Sequence, residues 1–206
     1  MAPIDLDLFA EHTRGRSMVE VLLRGHLWLE NAVIDLITAE LHNPRPLNVD
    51  RMTFANKVNL VEALGLVGQN DADTLRELNK IRNRLAHDLH GEPTLDDLSR
   101  LEGGLSPFQQ QLADGLCRLD DYRRPPADPD HMVRLCTTIL ALLVDVEWRR
   151  QNILYRKKHG PLIQAFEIGQ EMVRIKGGEP KMTFDEWRTQ NNIPPPPSAA
   201  DLVTGV

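Results

Sequence analysis

Helical periodicity runs through almost the whole chain and alternating strand patterns are scarce, which confines the fold to the all-α class. The spacing predicts a first helix from Ser17, its N-cap, to Leu41, where His42, Asn43 and Pro44 end it; Leu22, Leu29, Val33, Leu36 and Ile37 line one face and are assigned to a core. After a turn containing Pro44 and Pro46, a second helix is expected from Asp50 to Val67, ended by the Gly65–Gly68 region. A third begins at the Asn70, Asp71 and Asp73 caps and continues to Leu89, with Gly91 and Pro93 closing it. Thr94 to Arg100 and Phe108 to Leu119 read as shorter acidic helices, followed by the helix-breaking linker YRRPPADPD.

A fourth long helix is expected from His131 to Tyr155, with Arg149, Arg150, Arg156, Lys157 and Lys158 at its end, where the helix dipole favours cations. Beyond Gly160 the pattern gives a separate helix, Leu162 to Ile175, then a short one around Trp187 opened by the capping box Thr183-x-x-Glu186. The last residues, IPPPPSAADLVTGV, read as an extended tail or a strip that docks on a partner. The organisation expected is a helical bundle over residues 1–158, a C-terminal helical extension over 159–192 and a proline-rich tail over 193–206.

The 206 residues are enough for a core without disulfide staples, and two cysteines, Cys117 and Cys136, set no disulfide or zinc framework. Two aspartates stand where a signal peptide carries positive charge, and the longest apolar run, Ile139 to Val144, is far below the ~20 residues of a membrane span. A cytoplasmic location is expected, away from membranes. The 24 basic and 30 acidic residues give a net charge of −6, so nucleic-acid contact has to rest on a local basic surface, and sequence-specific DNA binding is not expected. Such a patch exists: from Arg76 to His90, Arg76, Lys80, Arg82 and Arg84 stand against Glu77 and Asp88.

On a wheel at ~100° per residue, Leu75, Leu78, Ile81, Leu85 and Leu89 form the buried stripe of the third helix. Arg82 lies at its edge and His87 about 140° further round. Between them runs a narrow polar strip of Asn79 and Asn83, floored by Ala86. The small residue admits a neighbouring helix or backbone, and a guanidinium with an imidazole on either side can hold and protonate a phosphate. Asn83 and His87, at i and i+4, can support each other.

The combination KxxLxxALGLV (Lys57–Val67), a helix-breaking gap and LNKIRNRLAH (Leu78–His87) resembles the HEPN superfamily (higher eukaryotes and prokaryotes nucleotide-binding), near its mannitol-repressor-like branch. The likeness covers Ser17 to His90 and rests on Arg82-Asn83-Arg84-Leu85-Ala86-His87, an Arg followed by Asn and, after four residues in all, by His. It implies an antiparallel helical bundle forming a homodimer, with two Arg82/His87 pairs around one cleft. It also implies a metal-independent endoribonuclease without cofactor, used as a toxin or antiviral defence effector and held by an antitoxin or other regulatory partner. His87 would be general acid or base, Arg82 would hold phosphate and Asn83 would orient substrate or imidazole. His26, Glu30, Asn79 and Arg84 would stand behind them. The same branch also implies an alternative, a non-catalytic regulatory or protein-interaction module.

The residues alone leave plainer readings open. Arg82 can be a packing device paired with a carboxylate of the first helix, and His87 a cation on the helix dipole. His26 and Glu30, at i and i+4 on the edge of an apolar face, can be a structural pair or can orient Arg82 or His87. His87 and His90 lack a third ligand nearby for zinc. The basic end of the fourth helix can be a solvated face or an RNA-tracking one, and Trp28 and Trp148 are assigned to core or dimer contacts rather than base stacking.

Overall fold

The computed structural model describes residues 5–13, 16–88, 90–120, 130–180 and 182–204. The expected linker YRRPPADPD, apart from Asp130, and the core assignment of Leu89 lie outside them. Among the described residues the secondary structure is helical, without strands: α1 Leu6–Thr13, α2 Met18–Glu40, α3 Phe54–Ala63, α4 Gln69–His87, α5 Leu95–Gly103, α6 Pro107–Asp120, α7 Asp130–Ile175, α8 Phe184–Gln190 and α9 Ala199–Thr204. No described helix is long and apolar enough to cross a membrane.

The bundle is organised about α2 and α7. A capping box opens α2, with the Glu20 N–H donating to Ser17 Oγ at 3.3 Å and the Ser17 N–H to Glu20 Oε2 at 3.3 Å. The predicted face of Leu22, Leu29, Val33, Leu36 and Ile37 is fully buried and packs in one core with Ile139, Leu142, Leu143 and Val146 of α7. Close approach of the two helices depends on Gly25, where an added Cβ would sit 2.7 Å from Ile139 Cγ2 and 2.8 Å from its Cδ1. Gly25→Ala therefore forces a fully buried Ile139 to move. Overpacking costs about 1–3 kcal/mol, and better helix propensity returns at most about 1. The expected result is a net loss of about 1 kcal/mol, read as a lower midpoint of urea unfolding.

The second and third helices differ from the sequence expectation at their starts, and the second also stops at Ala63 rather than Val67. The second helix starts at Phe54, capped by Thr53, rather than at Asp50, because residues 45–51 form two 3₁₀ turns around Asn48 in the left-handed region (φ 45°). The third starts at Gln69 after Gly68, and Asp71 is no cap: it is buried inside the first turn. Its carboxylate accepts from Arg149 Nη2 at 2.9 Å and Gln109 Nε2 at 3.1 Å, and the same Gln109 nitrogen donates to buried Asp145 at 2.7 Å. This network ties the start of α4 to α6 and α7.

The helices expected on either side of Gly160 are one 46-residue helix that passes through Pro161, so the boundary expected at 158/159 falls inside α7. Proline removes one ladder hydrogen bond, but Gly160 does not take the left-handed conformation that stops a helix. Gly177 does, with φ 75°, and its N–H and that of Gly178 donate back to the Arg174 and Val173 carbonyls, closing a Schellman motif. Lys157, instead of lying in a free basic run, donates to the Ala39 and Glu40 carbonyls at the end of α2. Thr183 and Glu186 form the expected capping box of α8. The tail returns to α7, burying Ile193 and Leu202.

Candidate functional site

The polar strip forms on α4. Its opposite side is spent on the core, where Leu75, Leu78, Ile81 and Leu85 are buried as the wheel requires. Asn83, Ala86 and His87 are exposed, and Arg82 is partly so. Arg82 Nη1 donates to Asn83 Oδ1 at 3.1 Å. Among the described residues His87 has no hydrogen-bond or ion-pair partner, and it is the last residue of α4 before the chain turns extended at Asp88.

The charge pattern of α4 separates its three arginines. Arg76 is paired with Glu62 and Asp73, and Arg84 grips the buried Asp97 of α5 with both terminal nitrogens. Arg82 has no carboxylate partner among the described residues, so its positive charge remains available. Arg84, one of the residues placed behind the site by the family likeness, is thus committed to α5. Burial alone would raise the pKa of Asp97, but hydrogen bonds from Arg84 and from the Thr94 N–H and hydroxyl outweigh it and hold the carboxyl well below the usual carboxylate range.

Beneath Arg82 lies a second, buried polar layer. His26 of α2 is 2% exposed, with Nε2 3.3 Å from Asn79 Oδ1 and its ring 4.4 Å from that of Phe54. Among the described residues its buried Nδ1 has no hydrogen-bond partner. Glu30 does not pair with His26; its Oε1 accepts from Lys57 Nζ at 2.6 Å, where Lys57 is 1% and Glu30 25% exposed. Glu30 is therefore engaged by α3 rather than paired with His26. His26 and Asn79 join α2 to α4, while Glu30 and Lys57 join α2 to α3. Lys57 was the member of this cluster that sequence reasoning did not assign a site role. The signal was there: with Phe54, Val58 and Val61 it occupies the buried face of α3, an unusual place for an ammonium group.

The pKa of His26 is lowered, first by burial; the bond to Asn79 and the charge of Glu30 oppose this, while Arg82 and Lys57 add to it. The folded protein keeps this imidazole neutral at a pH where the unfolded chain, at 6.5, already takes up a proton. Stability from this group is complete above pH 6.5 and falls as pH drops toward the folded value. His26→Gln is expected to flatten the pH dependence of the melting temperature over that window. Loss from Asp97 begins only in the more acidic range below 3.8, because that group's folded pKa is depressed.

No family model matches the chain, and comparison with curated proteins and with solved structures likewise finds no match.

Proposed function

We propose that this chain is a metal-independent endoribonuclease of the HEPN kind, working as a homodimer in which the α4 strips of two copies face each other. The observation that carries the reading is the contrast along α4. Arg76 and Arg84 are bound to carboxylates, whereas Arg82 donates to the exposed Asn83 and, among the described residues, neither Arg82 nor the exposed His87 further along α4 has a carboxylate partner. Arg82 and His87 are about 7.5 Å apart along the α4 axis and about 140° apart around it, so a cleft in this reading draws on residues of both copies.

The chemistry is an internal transfer. The RNA 2′-oxygen attacks the adjacent phosphorus as its proton passes to a base, and the 5′-oxygen leaves as it receives a proton from an acid. His87 of one copy fills one of these roles and the symmetry-related His87 the other. Arg82 neutralises the charge gathering on the non-bridging oxygens, best through two parallel N–H donors, and Asn83 orients the guanidinium through its Oδ1. The products are a 2′,3′-cyclic phosphate and a 5′-hydroxyl. Such a protein acts as a toxin or a defence effector, restrained by a protein partner in the cytoplasm.

The second reading is a non-catalytic regulatory or interaction module using the same face. It is favoured by the net charge of −6, which opposes RNA approach at long range. Incubation of purified protein with mixed RNA in EDTA separates the two. Cleavage supports the nuclease, and RNA or partner binding without turnover supports the module.

A further inference from the structure

The proline-rich tail has a place on the bundle that the nuclease reading does not use. Tyr155 and Trp148 stand seven residues apart on α7, close to two full turns, so their side chains leave the same face about 10.5 Å apart along the axis. Their polar atoms meet the tail in reverse order: Tyr155 Oη donates to the Pro194 carbonyl at 2.9 Å and Trp148 Nε1 to the Pro197 carbonyl at 3.0 Å. Three residues of polyproline II advance about 9.3 Å and complete one turn, presenting the first and fourth carbonyls to the same side. The two repeats match. Prolines have no N–H, so their carbonyls are the only backbone groups a partner can engage, and an indole N–H and a phenol O–H are suited to do so. Phe108 of α6 extends the aromatic surface, its ring 5.3 Å from that of Trp148. Ile193 is buried at the start of the strand and Leu202, on α9, is buried beyond its end, while the middle prolines remain exposed.

We infer that this face of α7 is a binding site for a proline-rich strand, filled in cis by residues 193–197 and able to take the same strand from a second copy of the chain. Recognition comes from the matched spacing of two donors and two carbonyls over an aromatic floor. The tail of the same molecule competes at the effective concentration of a tethered ligand, on the order of millimolar.

The test uses the full chain and a capped synthetic peptide with the sequence of residues 193–202, titrated by calorimetry. Weakening the resident strand with Ile193→Ala and Leu202→Ala should let the peptide bind at least ten-fold more tightly than it binds the unaltered protein. In that weakened chain Tyr155→Phe, which keeps the ring and removes the donor, should lower affinity several-fold, and so should Trp148→Phe. Should Trp148→Phe disturb folding, the Tyr155 variant alone decides. The inference is overturned if the weakened chain does not bind the peptide. It is equally overturned if a peptide with the four prolines replaced by alanine binds as well, or if Tyr155→Phe changes nothing.

Discussion

His87→Ala is expected to slow RNA cleavage in EDTA by about 10²–10⁴-fold, the usual worth of a positioned acid or base. The fold should be unaffected, since the side chain is exposed and bonds to nothing among the described residues. An unchanged melting temperature with lost turnover is the signature of a chemical role. A cation on the helix dipole would show the reverse, with slightly lower stability and unaltered cleavage. Arg82→Ala should fall to a similar extent, and Arg82→Lys should recover little, because an ammonium cannot supply two parallel donors to a phosphate. Arg84→Ala provides the contrast. It breaks the grip on buried Asp97 and is expected to act on stability rather than on turnover.

The second large effect concerns the buried layer. Glu30→Ala should destabilise the protein by about 3–5 kcal/mol, because it leaves the ammonium of Lys57 inside the bundle with no opposing charge. Lys57→Met should cost less, since Glu30 is partly exposed and can be hydrated. Combining Lys57→Met with Glu30→Leu replaces the ion pair by apolar side chains of similar length. Most of the stability lost in Glu30→Ala should return, a coupling that a double-mutant cycle in urea measures directly. If the combined variant is stable yet slow on RNA, the pair has a role in placing the strip as well as in holding α2 to α3.

Where the sequence was informative, a local rule fixed the outcome. Ser17 and Glu20, and Thr183 and Glu186, satisfy their own helix ends within four residues, so their positions follow from spacing alone. The apolar stripes of α2 and α4 are long enough to state their phase, and with it which side of α4 carries Arg82 and His87. The misread boundaries depended on backbone angles. Gly160 and Gly177 look alike in a sequence, but only Gly177 adopts the left-handed conformation, so α7 runs past the first and stops at the second. The eight residues of α1 are too few to display a period, and their place is set by Phe9, buried with its ring 5.9 Å from that of Trp28. Partner choice was the other gap. Glu30 was expected to pair with His26 or to orient Arg82 or His87, and only the packing of α3 against α2 brings Lys57 to it. The tail's composition announces an extended strand, which holds for residues 193–198 but not for 199–204, which form α9, and the residues that receive the strand lie 39 and 49 positions away.

The most direct measurement is end-group analysis of RNA treated with the purified protein in EDTA, run beside His87→Ala. Fragments ending in 2′,3′-cyclic phosphate and starting with 5′-hydroxyl, formed by the unaltered chain and absent with the variant, are the predicted result. Intact RNA after prolonged incubation with the unaltered chain, or the same fragments in equal yield from the variant, would contradict the assignment of Arg82 and His87 as a ribonuclease site.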